Sequence, residues 1–465
     1  MPRIACQYLP EPLLIFGEDG FHVDPKAGIA RYGPRSLNLT RHPSKVRVGV
    51  IGTGETIELA CRWILQNAEG VLGDSKHPEF PGFQPDRGFF SSIQFGDEWV
   101  EQITQSEIDD VFAANKLRDR FEQVLALLDD KLRLLSERDQ PPDYIILALS
   151  DLLYDRCRVV EYHDNALGNV HRDLRRAFKA VAMKYRIPTQ LLRQAVMEGR
   201  DDDHPSKIAW NFFTGMYFKA GGVPWGPVGL QPGTCYVGIS FFRPLGTSFS
   251  RMQTSLVQAF DEHGEGLVLR GHDFEWDLKK QGSRAPHLSE EQAAQLIEMV
   301  LNRYQSEMKQ QPTRVVIHKT SQFWPGEREG LKQALRKRTN RYDLLSLEAQ
   351  SAVRLITASK YPPLRGTRFT LGEYDFIYTT GFIAELGEFH SLHVPSPLRI
   401  SDHVGQDTPR EQLLKELLIL TKMNWNSARL GGLFPITVRF SRLVGDIMRE
   451  IPSDREPLPQ FKFYI

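Results

Sequence analysis

Residues 314–327 read RVVIHKTSQFWPGE. Val315, Val316 and Ile317 are consecutive β-branched residues, which is the composition of a strand buried on both faces. Strands of that kind belong to parallel sheets covered by helices, where ligands bind outside the carboxyl ends. This one ends in His318 and Lys319. The stretch therefore sets the fold class as α/β. It also asks whether Lys319 serves a site or stands where a site would need a different residue.

Other segments repeat the pattern. Residues 46–51 (VRVGVI), 144–150 (YIILALS), 235–242 (CYVGISFF) and 266–271 (GLVLRG) read as buried strands. Amphipathic spacing predicts a long helix over 107–137, carried by Val111, Leu117, Phe121, Val124, Leu128, Leu132 and Leu135. Helices are also predicted over 170–184 and from Pro188 to about 198. Capping boxes at Ser289-Glu290-Glu291-Gln292 and Thr408-Pro409-Arg410-Glu411 predict two more. Residues 1–45, rich in Pro and Gly, read as short strands and turns rather than core.

The chain has 465 residues, enough for two or three domains. With 58 Lys+Arg against 58 Asp+Glu it is formally neutral, which argues against a uniformly basic nucleic-acid binder. Charge is uneven, however. Residues 170–219 hold ten Lys/Arg against five Asp/Glu, and residues 331–370 hold nine against two. Each run predicts either a local basic surface or a solvated helix face. Cys6, Cys61, Cys157 and Cys235 form no CxxC pair, so they read as buried free thiols rather than a zinc site or disulfide frame. No apolar run reaches the ~18 residues that would span a bilayer, and the N-terminus lacks a signal pattern, so the expected location is the cytoplasm. Gly52-Thr53-Gly54 after a strand is half a dinucleotide fingerprint. Ile57 stands where its third glycine should be, which favours a plain turn over an NAD site.

Two constellations carry chemistry. In HRDLRRAFKAVAMKYRIPTQ (171–190), His171 and Arg175 are four apart and would share a helix face. Gln190 is expected to open the next helix, whose free N–H groups would add to an anion site. Asn211 and Lys219 follow in NFFTGMYFKAGGVPW. Such groups together would cradle a terminal phosphate, each charge-assisted bond contributing roughly 1.5–3 kcal/mol.

The combination resembles the MID domain of Argonaute proteins. The resemblance rests on the His/Tyr-x-x-x-basic pair, IPTQ, and N…KAGGVPW. It implies that His171, Arg175, Gln190 and Lys219 hold a guide 5′-phosphate, with Asn211 beside them. Arg175 departs from the family's usual lysine. The C-terminal half, above all LTKMNWNS (420–427) and FPITVRFS (434–441), resembles the PIWI domain. The implied architecture is a Rossmann-like MID domain with the N-terminal segment (1–225), then an RNase H-like PIWI domain (226–465). The length and layout are similar to those of short prokaryotic Argonautes.

Active PIWI domains hold two divalent metals between clustered carboxylates. The corresponding positions here are Ser240, Lys319 and Arg442, which would be neutral or cationic and would repel the ions. Asp273 or Glu275 falls near the remaining glutamate position, and one carboxylate does not restore such a site. The resemblance thus implies a non-cleaving PIWI domain; the alternative is a guide-dependent endonuclease with an atypical site. It further implies Arg365, Arg368 and the basic run 332–341 as nucleic-acid backbone contacts, and the carboxylate of Ile465 as a ligand for Mg²⁺ at the guide phosphate. Expected partners are a small guide RNA, a single-stranded DNA target, and a separate APAZ-containing effector. That effector would be a sirtuin-like NADase by preference, with a TIR-type NADase or a nuclease as alternatives. The expected role is antiviral or anti-plasmid defence through NAD depletion.

Overall fold

Residues 45–193 form a five-stranded parallel sheet. A computed structural model describes residues 4–465 except 166–167, 244–251, 261–265, 277–281, 283–284, 350–351, 359–360, 388, 390–393, 406–407 and 452–454. Strand Lys45–Gly52 lies between Tyr144–Leu149 on one side and Ser92–Gln94 and Val100–Gln102 on the other, and Thr189–Arg193 forms the outer edge beyond Tyr144–Leu149. Side chains alternate as the strand period of two requires. Val46, Val48, Val50, Tyr144, Ile146 and Ala148 pack with helices Gly54–Ala68 and Pro205–Lys219. Ile51, Ile145, Leu147 and Leu149 face helices Gln105–Ala113, Leu117–Ser136 and Leu174–Ala182. In the Gly-Thr-Gly turn, Thr53 caps helix Gly54–Ala68 through a reciprocal box with Thr56.

The second sheet has nine strands in the order Cys6–Tyr8, Thr367–Leu371, Tyr374–Ile377, Leu398–Val404, Tyr342–Glu348, Arg314–Lys319, Thr234–Phe242, Met252–Phe260, Gly266–Glu275. Its centre is parallel: Arg314–Lys319, all six residues buried, runs between Thr234–Phe242 and Tyr342–Glu348. Helices Glu290–Met308 and Pro325–Arg336 cover one face, and Arg410–Leu420 and Ile436–Met448 pack in the core on the other. A Cβ on Gly238 would meet the Thr437 carbonyl oxygen at 2.0 Å, so glycine lets helix Ile436–Met448 lie directly on the sheet.

Several sequence expectations need correction. The N-terminal segment is not peripheral. Cys6–Tyr8 completes the edge of the nine-stranded sheet, and Leu14, Phe16 and Ile29 are fully buried. Glu11, also buried, bonds Arg365 and Lys422. The helix expected over 107–137 is two helices, because Thr104 caps the first through Glu107 and the chain turns before Leu117. Thr408 closes no capping box; its hydroxyl donates to buried Asp343 at 2.7 Å, and helix Arg410–Leu420 starts without a side-chain cap. Cys157 and Cys235 are buried, but Cys6 is exposed and Cys61 partly so. No described helix is long and apolar enough to cross a membrane.

Candidate functional site

A cavity of 770 Å³ opens along the edge strand Thr189–Arg193, between helices Leu174–Ala182 and Pro205–Lys219. Three cations gather at one end of it. Arg175 and Lys179 are four apart on helix Leu174–Ala182 and so share its face. Lys219 comes from the last turn of helix Pro205–Lys219. That helix is apolar almost all round, and Trp210, Phe213 and Tyr217 lock it against Phe80, Phe83 and Phe89. Its polar stripe is Asn211, Gly215, Lys219, spaced by four. A Cβ on Gly215 would sit in ordinary contact, 3.4 Å from Asn426 Oδ1 and 3.6 Å from Gln190 Oε1, which places both amides beside this stripe.

Hydrogen bonds fix the cations. Lys219 Nζ donates to Gln190 Oε1 at 2.8 Å, and the Tyr144 hydroxyl donates to the same oxygen at 2.8 Å. Lys179 Nζ donates to the Thr189 carbonyl at 2.9 Å and to the main-chain oxygen of Ile465. Lys179 and Lys219 are 3% and 2% exposed, yet no side-chain carboxylate bonds to either lysine or to Arg175 among the described residues, and the terminal group of Ile465 is the one anionic partner, on Lys179. Burial, and then Lys219 and Arg175, push Lys179 well below the ordinary lysine range; burial and Arg175 do the same to Lys219. Arg175 is reached by solvent from the cavity, and burial by the surrounding walls lowers its pKa too. Three cations facing a single terminal carboxylate are under-compensated, which is costly in a protein interior. A multiply charged anion seated among them supplies the missing charge, so the geometry suits a phosphate group.

Elsewhere in the lining, Tyr154 lies under two guanidinium groups, Arg158 at 5.4 Å and Arg193 at 5.3 Å, and Arg193 also pairs with Asp201.

The site differs from the one expected in three respects. His171 lies on strand Gly168–Asp173, paired with Val159–Asp164, and not on the helix. It is exposed and bonds Glu161 Oε1 at 2.9 Å, away from the cavity lining. Asp173, whose carboxylate accepts the Arg176 N–H at 3.1 Å, caps the helix and starts it three residues later than His171 requires. The pair four apart is therefore Arg175 and Lys179, and Lys179 was missed. A lysine inside the apolar run AFKAVA was the signal for it. Gln190 opens no helix; it sits in the strand Thr189–Arg193, so no helix N-terminus contributes beside it. Asn211 lines the cavity, and its Oδ1 accepts the Ala428 N–H at 3.3 Å.

The second constellation is not brought together. Ser240 Oγ donates to the Ser441 carbonyl at 3.1 Å, and His318 bonds the Thr437 hydroxyl at 2.8 Å, so both face helix Ile436–Met448. Lys319, one residue on, points to the opposite face. There its ammonium bonds both Glu327 oxygens at 2.6 and 2.8 Å and meets His287 at 3.3 Å. His287 stacks on Trp324 with ring centroids 4.0 Å apart. Burial raises the Glu327 pKa, but bonds from His287, Lys319 and the Leu288 N–H outweigh it and hold the carboxyl below its usual range. Arg442 is exposed on helix Ile436–Met448 and lies 5.1 Å over the Phe434 ring. Asp273 and Glu275 are exposed on Gly266–Glu275, separated from Thr234–Phe242 by one strand.

The expected backbone contacts are otherwise engaged. Arg365 is 2% exposed and spends its guanidinium on Glu11, Thr379, Leu418 and Thr421, so it is a core residue and cannot reach a nucleic acid. Arg368 bonds Gln7 and Glu411. In the basic run, Lys337 pairs with Glu298, and Arg338 bonds Asn302 and Gln305 on the neighbouring helix.

No family model matches the sequence, and no curated protein matches it. Solved structures do. Clostridium butyricum Argonaute, bound to a guide DNA and a 19-mer target DNA, superposes with a TM-score of 0.70 at 18% identity, over 99% of this chain and 55% of that one. Aquifex aeolicus Argonaute superposes at 0.59 and 15% identity, over 99% and 55%. This chain has the MID–PIWI fold of Argonaute proteins. It spans little more than half the length of those Argonautes.

Proposed function

We propose that the chain binds a small 5′-phosphorylated guide RNA, holds its 5′ end in the MID cavity, and captures a complementary single-stranded DNA target without cutting it. The observation that carries this reading is the cluster of Arg175, Lys179 and Lys219 on one cavity, with no side-chain carboxylate bonded to them and only the terminal group of Ile465 against Lys179. Gln190 orients Lys219, and Asn211 adds a polar wall. Base pairing supplies sequence recognition, while the protein fixes one end of the strand.

Toward the absence of cleavage, Ser240 carries no carboxylate on its face of the sheet, and Lys319, in a buried ion pair on the opposite face, neither supplies a metal ligand there nor repels an ion there. The resemblance also implies Mg²⁺ at the guide phosphate. From the protein, the candidate ligand is the main-chain oxygen of Ile465, which already accepts from Lys179. Three neighbouring cations oppose a divalent ion there. The residues fit a phosphate and do not by themselves fit the metal.

The proposed partner is an APAZ-containing effector, with a sirtuin-like NADase preferred over a TIR-type NADase or a nuclease. Target capture would switch it on, and NAD depletion would then halt an invaded cell. This part rests on the sequence resemblance to short prokaryotic Argonautes. The test of the core reading is a paired binding and cleavage assay on one labelled target.

The cavity electrostatics fix a pH dependence. Lys179 and Lys219 have depressed pKa values in the free chain, and a phosphate dianion raises them again. Binding therefore takes up protons, and affinity for a 5′-phosphorylated strand should fall as pH rises through the window between the depressed and the restored values. The unliganded chain should show the opposite trend. Its unfolded state binds more protons below the ordinary lysine pKa, so stability should increase with pH across that window. Calorimetric titrations in buffers of different ionisation heat measure the uptake directly; no net proton uptake would contradict the assignment.

A further inference from the structure

The loop after helix Gly54–Ala68 meets the start of helix Pro205–Lys219 through three side chains. Ligand atoms of Asp74, His77 and His204 all lie within 4.8 Å of one another. The two imidazole rings stack in parallel, 4.4 Å between centroids and 4° between planes. We propose that these residues form a binding site for a Zn²⁺-class transition metal ion, which clamps the 73–78 loop to the helix that carries Asn211 and Lys219.

The carboxylate is prepared for that role. Asp74 Oδ1 accepts the N–H groups of Lys76 and His77, both at 2.7 Å, which fixes its orientation. Oδ2 remains, and it faces His204 Nε2 at 3.6 Å. That separation is too long for a hydrogen bond. It is close to the roughly 3.4 Å that separates two donors each ~2.0–2.1 Å from one tetrahedral ion. Hydrogen bonds to the non-ligating oxygen are the usual outer support of a metal-bound carboxylate. His77 Nδ1 bonds Oδ1 at 3.0 Å and would give up that bond, and any proton on Nδ1, to become the third donor.

The scaffold beneath is fixed independently. Ser206 Oγ donates to the Pro78 carbonyl, and Trp210 Nε1 donates to the Glu79 carbonyl at 3.1 Å. Loop and helix are therefore already docked; the two stacked rings must turn out of parallel so that a nitrogen lone pair of each lies toward one ion. Two imidazoles and one carboxylate select zinc, nickel or copper over magnesium or calcium, which prefer all-oxygen shells. Ligation through His204 Nε2 places the proton on Nδ1. The Ser206 N–H, now 3.2 Å from Nδ1, then gives up that contact. The site is partly open to solvent, so water fills the remaining position.

The test is calorimetric titration of chelator-stripped full chain with ZnCl₂ in excess Mg²⁺, followed by metal analysis after gel filtration. The expected result is one Zn²⁺ retained per chain, a raised melting temperature, and binding weakened by at least about tenfold in His77→Ala and in Asp74→Asn, the scale on which even outer-shell partners act. Both substitutions fall on the exposed loop, so folding is checked by the melting curve without metal. No retained zinc would overturn the proposal. Uptake unchanged in both variants would also overturn it, since it would mark an adventitious ion only.

Discussion

A chain carrying Lys179→Met and Lys219→Met should bind a 5′-phosphorylated strand about 10²–10⁴-fold more weakly than the unaltered chain. It should also cease to distinguish 5′-phosphate from 5′-hydroxyl. The estimate takes two charge-assisted bonds at roughly 1.5–3 kcal/mol each, with about 1.4 kcal/mol per decade of affinity. Methionine keeps most of the apolar stem and removes two cations that burial disfavours. The fold should survive, because the helices that carry these residues are held by Leu174, Ala177 and Phe178 on one and by Trp210, Phe213 and Tyr217 on the other. His171→Ala is the matched control. That side chain is exposed and bonded to Glu161, so its loss should leave strand binding unchanged. Fluorescence anisotropy with the two end chemistries reads both variants. Undiminished binding in the double variant would remove the cavity from the account.

Lys319→Ala should destabilise the chain by about 3–5 kcal/mol, the usual consequence of leaving one member of a buried ion pair without its partner. Lys319 and Glu327 are each 2% exposed. Without the ammonium, Glu327 keeps bonds from the Leu288 and Trp324 N–H groups and from His287, but carries an unneutralised charge in the core. Combining Lys319→Met with Glu327→Leu should recover part of the loss, because no buried charge then remains. The recovery is partial, since the Leu288 and Trp324 N–H groups lose their acceptor. Urea denaturation of the two chains measures the difference. A change near zero for Lys319→Ala would mean the lysine is not structural and would reopen a functional role at the end of its strand.

The answer to the question posed by residues 314–327 is thus a structural lysine, and the sequence showed why that was hard to see. Consecutive β-branched residues announced the strand, as they did for Lys45–Gly52 and Tyr144–Leu149, because two-sided burial leaves an unbroken apolar run. Partners eight and 32 residues away decide what the terminal lysine does, and no local pattern encodes them. Arg365 is the same case at larger range: in Arg-Gly-Thr-Arg it looks like a surface cation, and Glu11 makes it core. The cavity was legible in part. Arg175, Gln190, Asn211 and Lys219 were reached through spacing and the MID resemblance, and all four line the cavity. His171 was misplaced because a charged run fits a strand or a helix equally well; Asp173, a residue type that caps helices, starts this one at Leu174.

The central claim is that this chain captures a guided target and does not cut it. The direct measurement loads the chain with a 5′-phosphorylated guide RNA and incubates it with a labelled complementary DNA strand, once with Mg²⁺ and once with Mn²⁺. The same samples are divided between a binding assay and a denaturing gel. The account predicts a guide-dependent complex and a target that remains full length in both metals. Guide-dependent fragments would contradict it and would require an active site that does not depend on Ser240, Lys319 or Arg442.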